Sequence, residues 1–510
     1  MRLRRLLGFP AIALSLAAVA PGAGAVQSTP PTTTFEDSAG ASWTPHLDEL
    51  GLLEQIAAES PRVEIEVIGE TDATGRPLHL VRIGEPTPHS MVAAQDMPVE
   101  LHICTQHGNE PAGREACLIA IRDLAFTDDP VLVEQLANQV MLFIPSANPD
   151  GREADTRENA LGVDLNRNHL EVEQSETRAI GAVIRDWKPA INMDHHEYGP
   201  VIPGLYDDDV LYLWPRNLNV HQPLREMARD FAKDFLNPCL LEQGYRSDEY
   251  GLYSLGGQPA PDLDLQQSAG DEDDGISRNA AGLRHGLGLL VESLSADAGL
   301  LPDAAVAPLR QRRVASHRQV IDCTMTWMRD HAADAFRVSR ESMTAKQIEG
   351  AQRSEPVWFN GQDEDTTVGA TAGATPTSFA DPAPCGYLVN ATDAEYEFPE
   401  SVAVHGIATM PLWNGDVFVD MAQSAEPVIG LLLDARATRH LVAAEPLDDC
   451  SPYQAVLDDA FTINRDDRTL QALPSLARTA GAPPLPATGG GLVLLGLPTL
   501  FAAARLRRGR

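Results

Sequence analysis

The stretch Cys104-Thr-Gln-His-Gly-Asn-Glu-Pro-Ala-Gly-Arg-Glu-Ala116, CTQHGNEPAGREA, closes an apolar run and opens a helical one. His107 and Glu110 stand three residues apart where a strand gives way to a helix, a spacing that lets an imidazole and a carboxylate converge on one point. With one more His or carboxylate from elsewhere, such a pair makes a zinc site with an open fourth position, the arrangement catalytic zinc needs. Alone, the same two residues are an ordinary capping and salt-bridge pair. The surrounding text has to decide.

Around that stretch the periodicity alternates. Leu50, Leu53, Ile56 and Ala57 recur at helical spacing, and Val63, Ile65 and Val67 then alternate as in a strand. Residues 78–83, 99–105, 139–144, 190–193 and 287–291 read as further strands, and 113–126, 176–187, 221–241 and 306–337 as helices. This order predicts an α/β core with a largely parallel sheet covered on both faces, whose ligands gather at the carboxyl ends of the strands. Past residue 350 the helical period is lost, Gly, Thr, Ala and Pro cluster over 361–384, and short strand-like runs follow at 387–390, 402–407, 417–421 and 429–433. They predict a small β-rich C-terminal domain over 353–450, behind a core at 46–340.

The two ends read as targeting text. Residues 1–25 combine Arg2, Arg4 and Arg5 with an apolar run and the small-residue exit Ala23-Gly24-Ala25, a secretory signal peptide with cleavage expected after Ala25. Residues 26–45, rich in Pro, Thr, Ser and Ala, read as a disordered leader, and 451–484 as a polar stalk. Residues 485–510 run from Leu485-Pro486-Ala487-Thr488-Gly489 through a short apolar segment to a basic end, and resemble the sorting signal of sortase-anchored surface proteins. The apolar segment is shorter than the about twenty residues of a full membrane span. The alternative is a weak tail that stays in the bilayer.

The chain carries a formal charge of −34. Both ends together hold seven arginines and no acid, so the processed chain would carry −41. Nucleic acid, which requires a basic surface, is thereby excluded as a partner. The six cysteines, Cys104, Cys117, Cys239, Cys323, Cys385 and Cys450, are an even count in an exported chain; disulfides are permitted, with fifteen pairings open.

Downstream of His107 and Glu110 come Asn148-Pro-Asp-Gly151, Arg157-Glu-Asn159, Gly162-Val-Asp-Leu-Asn-Arg-Asn168, Asp194-His-His-Glu197 and Leu289-Leu-Val-Glu292, each near the end of an expected strand. This set, in this order over about residues 46–335, resembles the zinc carboxypeptidase family. The resemblance implies an α/β fold with a mixed, twisted sheet flanked by helices, and is silent on the β-rich domain. It implies one zinc ion held by His107, Glu110 and His196, with the fourth position left to water. Two neutral imidazoles and one carboxylate would leave net positive charge on the metal, which acidifies that water. His195 is the rival ligand; alternation along a strand puts it on the opposite face from His196, as a packed or supporting histidine.

The same resemblance makes Glu292 the general acid/base, Arg157 the group that stabilises the oxyanion, and Asn166 with Arg167 the grip on a free α-carboxylate, for which a guanidinium fork is suited. It implies a mobile active-site tyrosine, and of Tyr245, Tyr250 and Tyr253 the choice falls on Tyr253. Arg278 would lie near the floor of the specificity pocket and favour an acidic terminal side chain; the competing reading puts it on a helix surface, paired with the acids of 271–274. One departure is Asn109, where pancreatic-type members carry Arg. His-Gly-Asn-Glu is also similar to the aspartoacylase and succinylglutamate desuccinylase deacylases and to the murein peptide amidases.

The sequence is therefore read as a secreted, surface-anchored zinc metallocarboxypeptidase acting on peptides with a free C-terminus. A sortase-type enzyme would process it, and it would meet the membrane only through its signal peptide and C-terminal segment. The alternatives are a zinc amidase of cell-wall peptides and a non-catalytic surface binding protein that keeps the fold.

Overall fold

The structure, a computed structural model, describes residues 29–199, 208–250, 252–253, 265–266, 272–295, 303–363, 376–395 and 397–453, with 252–253, 265–266 and 303 as backbone only. The expected signal peptide, nearly all of the stalk and the sorting signal lie outside these residues. Among the described residues no helix is long and apolar enough to cross a membrane.

Among the described residues, ten strands precede the long helix Asp303–Gln352: β1 Val63–Glu70, β2 Pro77–Ile83, β3 Val99–Cys104, β4 Val140–Ile144, β5 Ile191–Tyr198, β6 Val210–Leu213, β7 Ser247–Glu249, β8 Leu252–Tyr253, β9 Leu265–Gln266 and β10 Leu287–Leu294. Strands β8 and β9 pair with each other, and the other eight form one mixed sheet in the order β1-β2-β4-β3-β5-β10-β6-β7. Its central members β4, β3, β5 and β10 run parallel. Strands β3, β4 and β5 are buried along their whole length, which is why they read as nearly unbroken apolar runs.

Alternation along these strands assigns their side chains to two cores. Leu101, Ile103, Leu142 and Ile144 face Ile180, Val183, Ile184 and Trp187 of the helix Ser175–Trp187. Met141 and Phe143 join Cys117, Leu118 and Ile121 of the helix Ala112–Phe126 and Val314, Ile321 and Met325 of the long helix. Each Leu or Ile so enclosed stabilises the sheet–helix contact by about 1.5–3 kcal/mol. The parallel centre brings the carboxyl ends of β3, β5 and β10 to one edge.

Four expectations need correction. Residues 29–45 are not a disordered leader: Thr33 caps a short helix, Thr34–Asp37, through a capping box, Phe35 stacks on Trp43 at 5.1 Å, and Thr44 hydrogen-bonds Glu115. Two aromatics in Pro- and Thr-rich text give this segment something to bury. The long helix ends at Gln352, past the expected boundary at 340. Of two expected strands, the first half of 402–407 lies in the helix Glu397–Val404 and the rest in the turn after it, and all of 429–433 lies in the helix Glu426–Leu433, since a short apolar run does not distinguish a buried strand from a buried helix.

The C-terminal part retains small sheets. Strands β11 Val357–Trp358 and β12 Phe379–Ala380 pair, and β13 Gly386–Val389, β14 Met410–Pro411, β15 Val417–Asp420 and β16 Glu445–Leu447 form a four-stranded sheet in the order β14-β15-β13-β16. This part is stitched to the α/β core. Lys346 pairs with Glu426 at 3.6 Å, His285 bonds the Ser424 carbonyl at 2.8 Å, and His405 bonds the Leu170 carbonyl at 2.6 Å. The cysteines pair as Cys104–Cys117, Cys239–Cys323 and Cys385–Cys450.

Candidate metal centre

Strand β3 stops at Cys104, and Thr105 turns the chain with φ 58°, an uncommon conformation for a β-branched residue. The following loop carries His107 and Glu110 and leads into the helix Ala112–Phe126. Gly108 lies so close to a second loop that a Cβ there would fall 1.9 Å from the Gly151 carbonyl carbon. This contact explains glycine at position 108 of His-Gly-Asn-Glu. Gly151 is crowded too, with a Cβ 2.4 Å from Asn148 Nδ2.

His107, Glu110 and His196 come together, each nearly fully buried, with one donor atom from each within 4.8 Å of the others. His107 Nδ1 lies 2.9 Å from Glu110 Oε1, His196 Nδ1 lies 2.9 Å from Glu110 Oε2, and the two Nδ1 atoms are 3.0 Å apart. The outer nitrogens are held by carboxylates: His107 Nε2 by Asp164 at 3.0 Å and His196 Nε2 by Asp194 at 2.9 Å. When Nε2 carries the proton and donates it to these acids, both Nδ1 lone pairs point inward at the Glu110 carboxylate. Three acceptors then converge, a set that a divalent cation satisfies. Two imidazoles and one carboxylate fit zinc, and carboxylate-held imidazoles are the usual support for it.

Electrostatics point the same way. Burial alone would lift the Glu110 pKa, but His107 and His196 outweigh it and hold it at about 2. Burial would lower the His196 pKa, and Asp194 with Glu110 instead holds it well above the usual imidazole range. The site thus stores negative charge and protonates its imidazoles when no other cation is present.

His195 behaves differently. It is fully buried on the opposite face of β5, with Nε2 3.0 Å from His102 Nδ1 and Nδ1 3.1 Å from His317 Nδ1. His102 in turn bonds Glu100 at 2.8 Å. Both ring nitrogens of His195 are engaged away from Glu110. Its Cβ also limits Gly113, where a side chain would approach it to 2.8 Å.

Glu292 on β10 is the Cα partner of His196 in the parallel pairing with β5. It keeps part of its side chain accessible, while the surrounding protein lifts its carboxyl to about 7 by burial, with His196 opposing and Glu110 reinforcing the rise. Arg157 spans the metal group and Asp164: its Nη1 is 3.1 Å from His107 Nδ1, and its Nε and Nη2 bond Asp164 Oδ2 at 3.0 and 2.8 Å. Asn166 is buried, donates toward Asp194 at 3.5 Å beside His196, and accepts from the Ser277 amide at 2.8 Å. Its side chain is thus engaged in holding the site together. Arg167 remains partly exposed, with Asp273 3.9 Å away.

The side chain of Tyr253 lies outside the described residues. Of the other two tyrosines, Tyr245 stacks under Arg312 at 4.1 Å, while the phenol of Tyr250 is pushed up by burial and by the nearby charges of Glu292 and Glu110, which puts it beside the site. Arg278 is 2% exposed and so is not on a helix surface, and its charge reaches Tyr250. Asp164 and Asp194 had no assigned role in the sequence reading. Their signal was the acid flanking a site motif in Gly-Val-Asp-Leu-Asn-Arg-Asn and in Asp-His-His-Glu.

Residues 50–258 match the family model described as zinc carboxypeptidase. Among curated proteins the chain is 31% identical over 193 residues to Carboxypeptidase 2 of Trichophyton rubrum, covering 37% of this chain and 35% of that protein. It is 31% identical over 126 residues to Carboxypeptidase D of Homo sapiens, covering 21% of this chain and 9% of that protein. The matched stretch spans about a third of the length of the first of these relatives. Among solved structures, a metallo-carboxypeptidase from Pseudomonas aeruginosa aligns with a TM-score of 0.42 at 20% identity, covering 56% of this chain and 69% of that one. The family model and the curated relatives support the zinc carboxypeptidase family.

Proposed function

We propose that this chain is a zinc-dependent carboxypeptidase that removes residues from the free C-terminus of peptides. The observation that carries the reading is the alignment of Glu292 beside His196 on adjacent parallel strands, at a cluster where His107 Nδ1, His196 Nδ1 and the Glu110 carboxylate converge. A zinc ion held by His107, Glu110 and His196 would polarise the scissile carbonyl and make water acidic enough to attack near neutral pH.

Glu292 would take the proton of the attacking water and pass it to the leaving amine, a role suited to a carboxyl lifted toward neutrality. Arg157, partly exposed at the rim, would meet the negative charge that develops on the carbonyl oxygen. Arg167 would receive the terminal carboxylate with Asn166 beside it, the Asn166 side chain lying against Asp194 and accepting from the Ser277 amide. Tyr250 or Tyr253 would close over the substrate. Residues 1–25 and 485–510 would direct secretion and, through a sortase-type enzyme, anchoring at the cell surface.

A second reading, an amidase of cell-wall peptides, draws on the exposed Asn109 beside Glu110, which adds no positive charge next to the site. Mass spectrometry of products from peptides with free or amidated termini and from purified muropeptides separates the two. Single residues released only from free termini, with loss on chelation and recovery with zinc, is the expected result. Cleavage of muropeptides alone establishes the amidase, and no hydrolysis by metal-loaded protein leaves a binding protein.

A further inference from the structure

Away from the metal centre, a cleft of about 620 Å³ lies where the α/β core meets the C-terminal part. None of its lining residues is a metal ligand or Glu292. Among the described residues, six acidic side chains line it, Glu171, Asp273 and Asp274 among them, against a single arginine, Arg439. Arg439 is already committed: it pairs with Asp273 at 2.8 Å and Glu171 at 3.5 Å and donates to the Arg167 carbonyl at 2.8 Å.

Asp274 is the acid that this arrangement leaves with only its own backbone amide and the more distant charge of Arg439 in its favour. It is 7% exposed, and no side chain of another described residue hydrogen-bonds or ion-pairs with its carboxylate. Burial, then Asp273 and Glu171, push its pKa up to about 8. Once ionised, near pH 8 and above, a buried carboxylate facing like charges costs free energy that a cation in the cleft offsets.

The kind of cation follows from the geometry. A hard divalent ion takes six to eight oxygens at about 2.3–2.6 Å. Among the described residues the groups of three His, Cys, Asp or Glu whose ligand atoms converge within 4.8 Å are His107–Glu110–His196 and Cys104–Cys117–His195, so no three acids of the cleft converge in this way. Spread carboxylates suit a larger cation, and the volume suits a side-chain-sized ligand. Trp358, half-buried and tilted against Phe379 at 5.2 Å, supplies an aromatic wall of the kind that ammonium and guanidinium groups favour.

We propose that this cleft binds an organic cation, an ammonium or guanidinium group carried by a basic peptide side chain or by a free polyamine, with Asp274 as its counter-charge and Trp358 as its aromatic wall. The inference stands apart from the catalytic reading, because binding is measured without turnover. Calorimetric titration of the full chain at pH 8 would use spermidine, a Lys- and Arg-containing pentapeptide acetylated and amidated at its ends, the same peptide with Gln in place of both, and calcium chloride.

The expected result is saturable one-site binding of spermidine or of the basic peptide, weakened at least tenfold in Asp274→Asn and again in Trp358→Ala, with no binding of the Gln peptide. Binding of spermidine alone assigns the site to free polyamines, and binding of the peptide alone assigns it to basic side chains. Absence of saturable binding by both, affinity unchanged in Asp274→Asn, or selective binding of calcium each overturns the proposal. Near-UV circular dichroism of the two variants separates lost binding from lost folding, and each variant tests the cleft independently of the other.

Discussion

Asp194 Oδ2 sits 2.9 Å from Nε2 of His196, a buried carboxylate behind a buried imidazole. By accepting the Nε2–H hydrogen bond it favours the neutral tautomer whose Nδ1 lone pair is free for a cation shared with Glu110. Gln106 completes the arrangement by donating to Asp194 Oδ1 at 2.6 Å, and His169 reaches Gln106 at 2.6 Å. The support of the site is thus a chain of side chains from β3, β5 and the loop that follows 165–167. Asp194→Asn is expected to weaken zinc binding by about 10–100-fold while leaving the fold intact. Competition with a chromogenic chelator measures it, and an unchanged affinity removes Asp194 from the metal's support.

His195 and His196 are adjacent in sequence but lie on opposite faces of β5 with different partners. His196→Ala should lose stoichiometric zinc, because one of the three converging donors is gone. His195→Ala should retain zinc and lose thermal stability, since it breaks a buried string running from Glu100 through His102 to His317. Metal analysis that reverses this order would exchange the ligand assignments.

Glu292→Gln should keep zinc and lower kcat by about 100-fold or more, because it removes the proton carrier and spares the donors. The wild-type enzyme should lose kcat/KM as pH falls, since the base must be ionised. With no metal its carboxyl stands at about 7, raised by burial. A bound dication beside it favours the ionised form, so the acidic limb of the loaded enzyme should lie below that value. A limb that persists in Glu292→Gln belongs to another group.

Arg167→Ala should chiefly raise KM for peptides with a free terminal carboxylate, as removal of a binding contact does. Arg278→Ala should reduce kcat/KM for C-terminal Glu or Asp more than for C-terminal Leu. Equal losses for the two classes would show that Arg278 serves packing alone, as its burial also permits.

The sequence exposed the site better than the periphery, for a physical reason. His107 and Glu110 follow a strand that is buried throughout, and His196 and Glu292 lie near the ends of two strands that are buried along most or all of their length, so the apolar runs that lead to them are legible. Asn166, the expected partner of Arg167 at the terminal carboxylate, also takes the Ser277 amide at 2.8 Å, a contact more than a hundred residues away that no local pattern announces. Residues 429–433 read as a strand because the helix that holds them, Glu426–Leu433, is buried all round and has no polar face to give a period. The ordered segment at 29–45 depends on Phe35 finding Trp43 and on Thr44 finding Glu115, contacts that composition does not reveal.

Asp274 links the acidic cleft to stability. Its carboxyl titrates at an ordinary 3.8 in an unfolded chain and at about 8 in the folded one, lifted by burial and then by Asp273 and Glu171. Between those values the unfolded chain has released the proton that the folded chain retains, so this group's contribution to stability is complete below pH 4, declines as pH rises, and is gone above 8. Each tenfold change in proton affinity is worth about 1.4 kcal/mol, so the loss at pH 8 is on the order of several kcal/mol. Asp274→Asn should therefore be more stable than wild type at pH 8, with a much smaller difference at pH 5, as read from urea midpoints. Equal gains at both pH values would mean that the buried charge is not the origin. A cation seated in the cleft should reproduce the gain by binding only the folded state, so saturating spermidine or basic peptide should raise the wild-type midpoint at pH 8 and leave that of Asp274→Asn nearly unmoved.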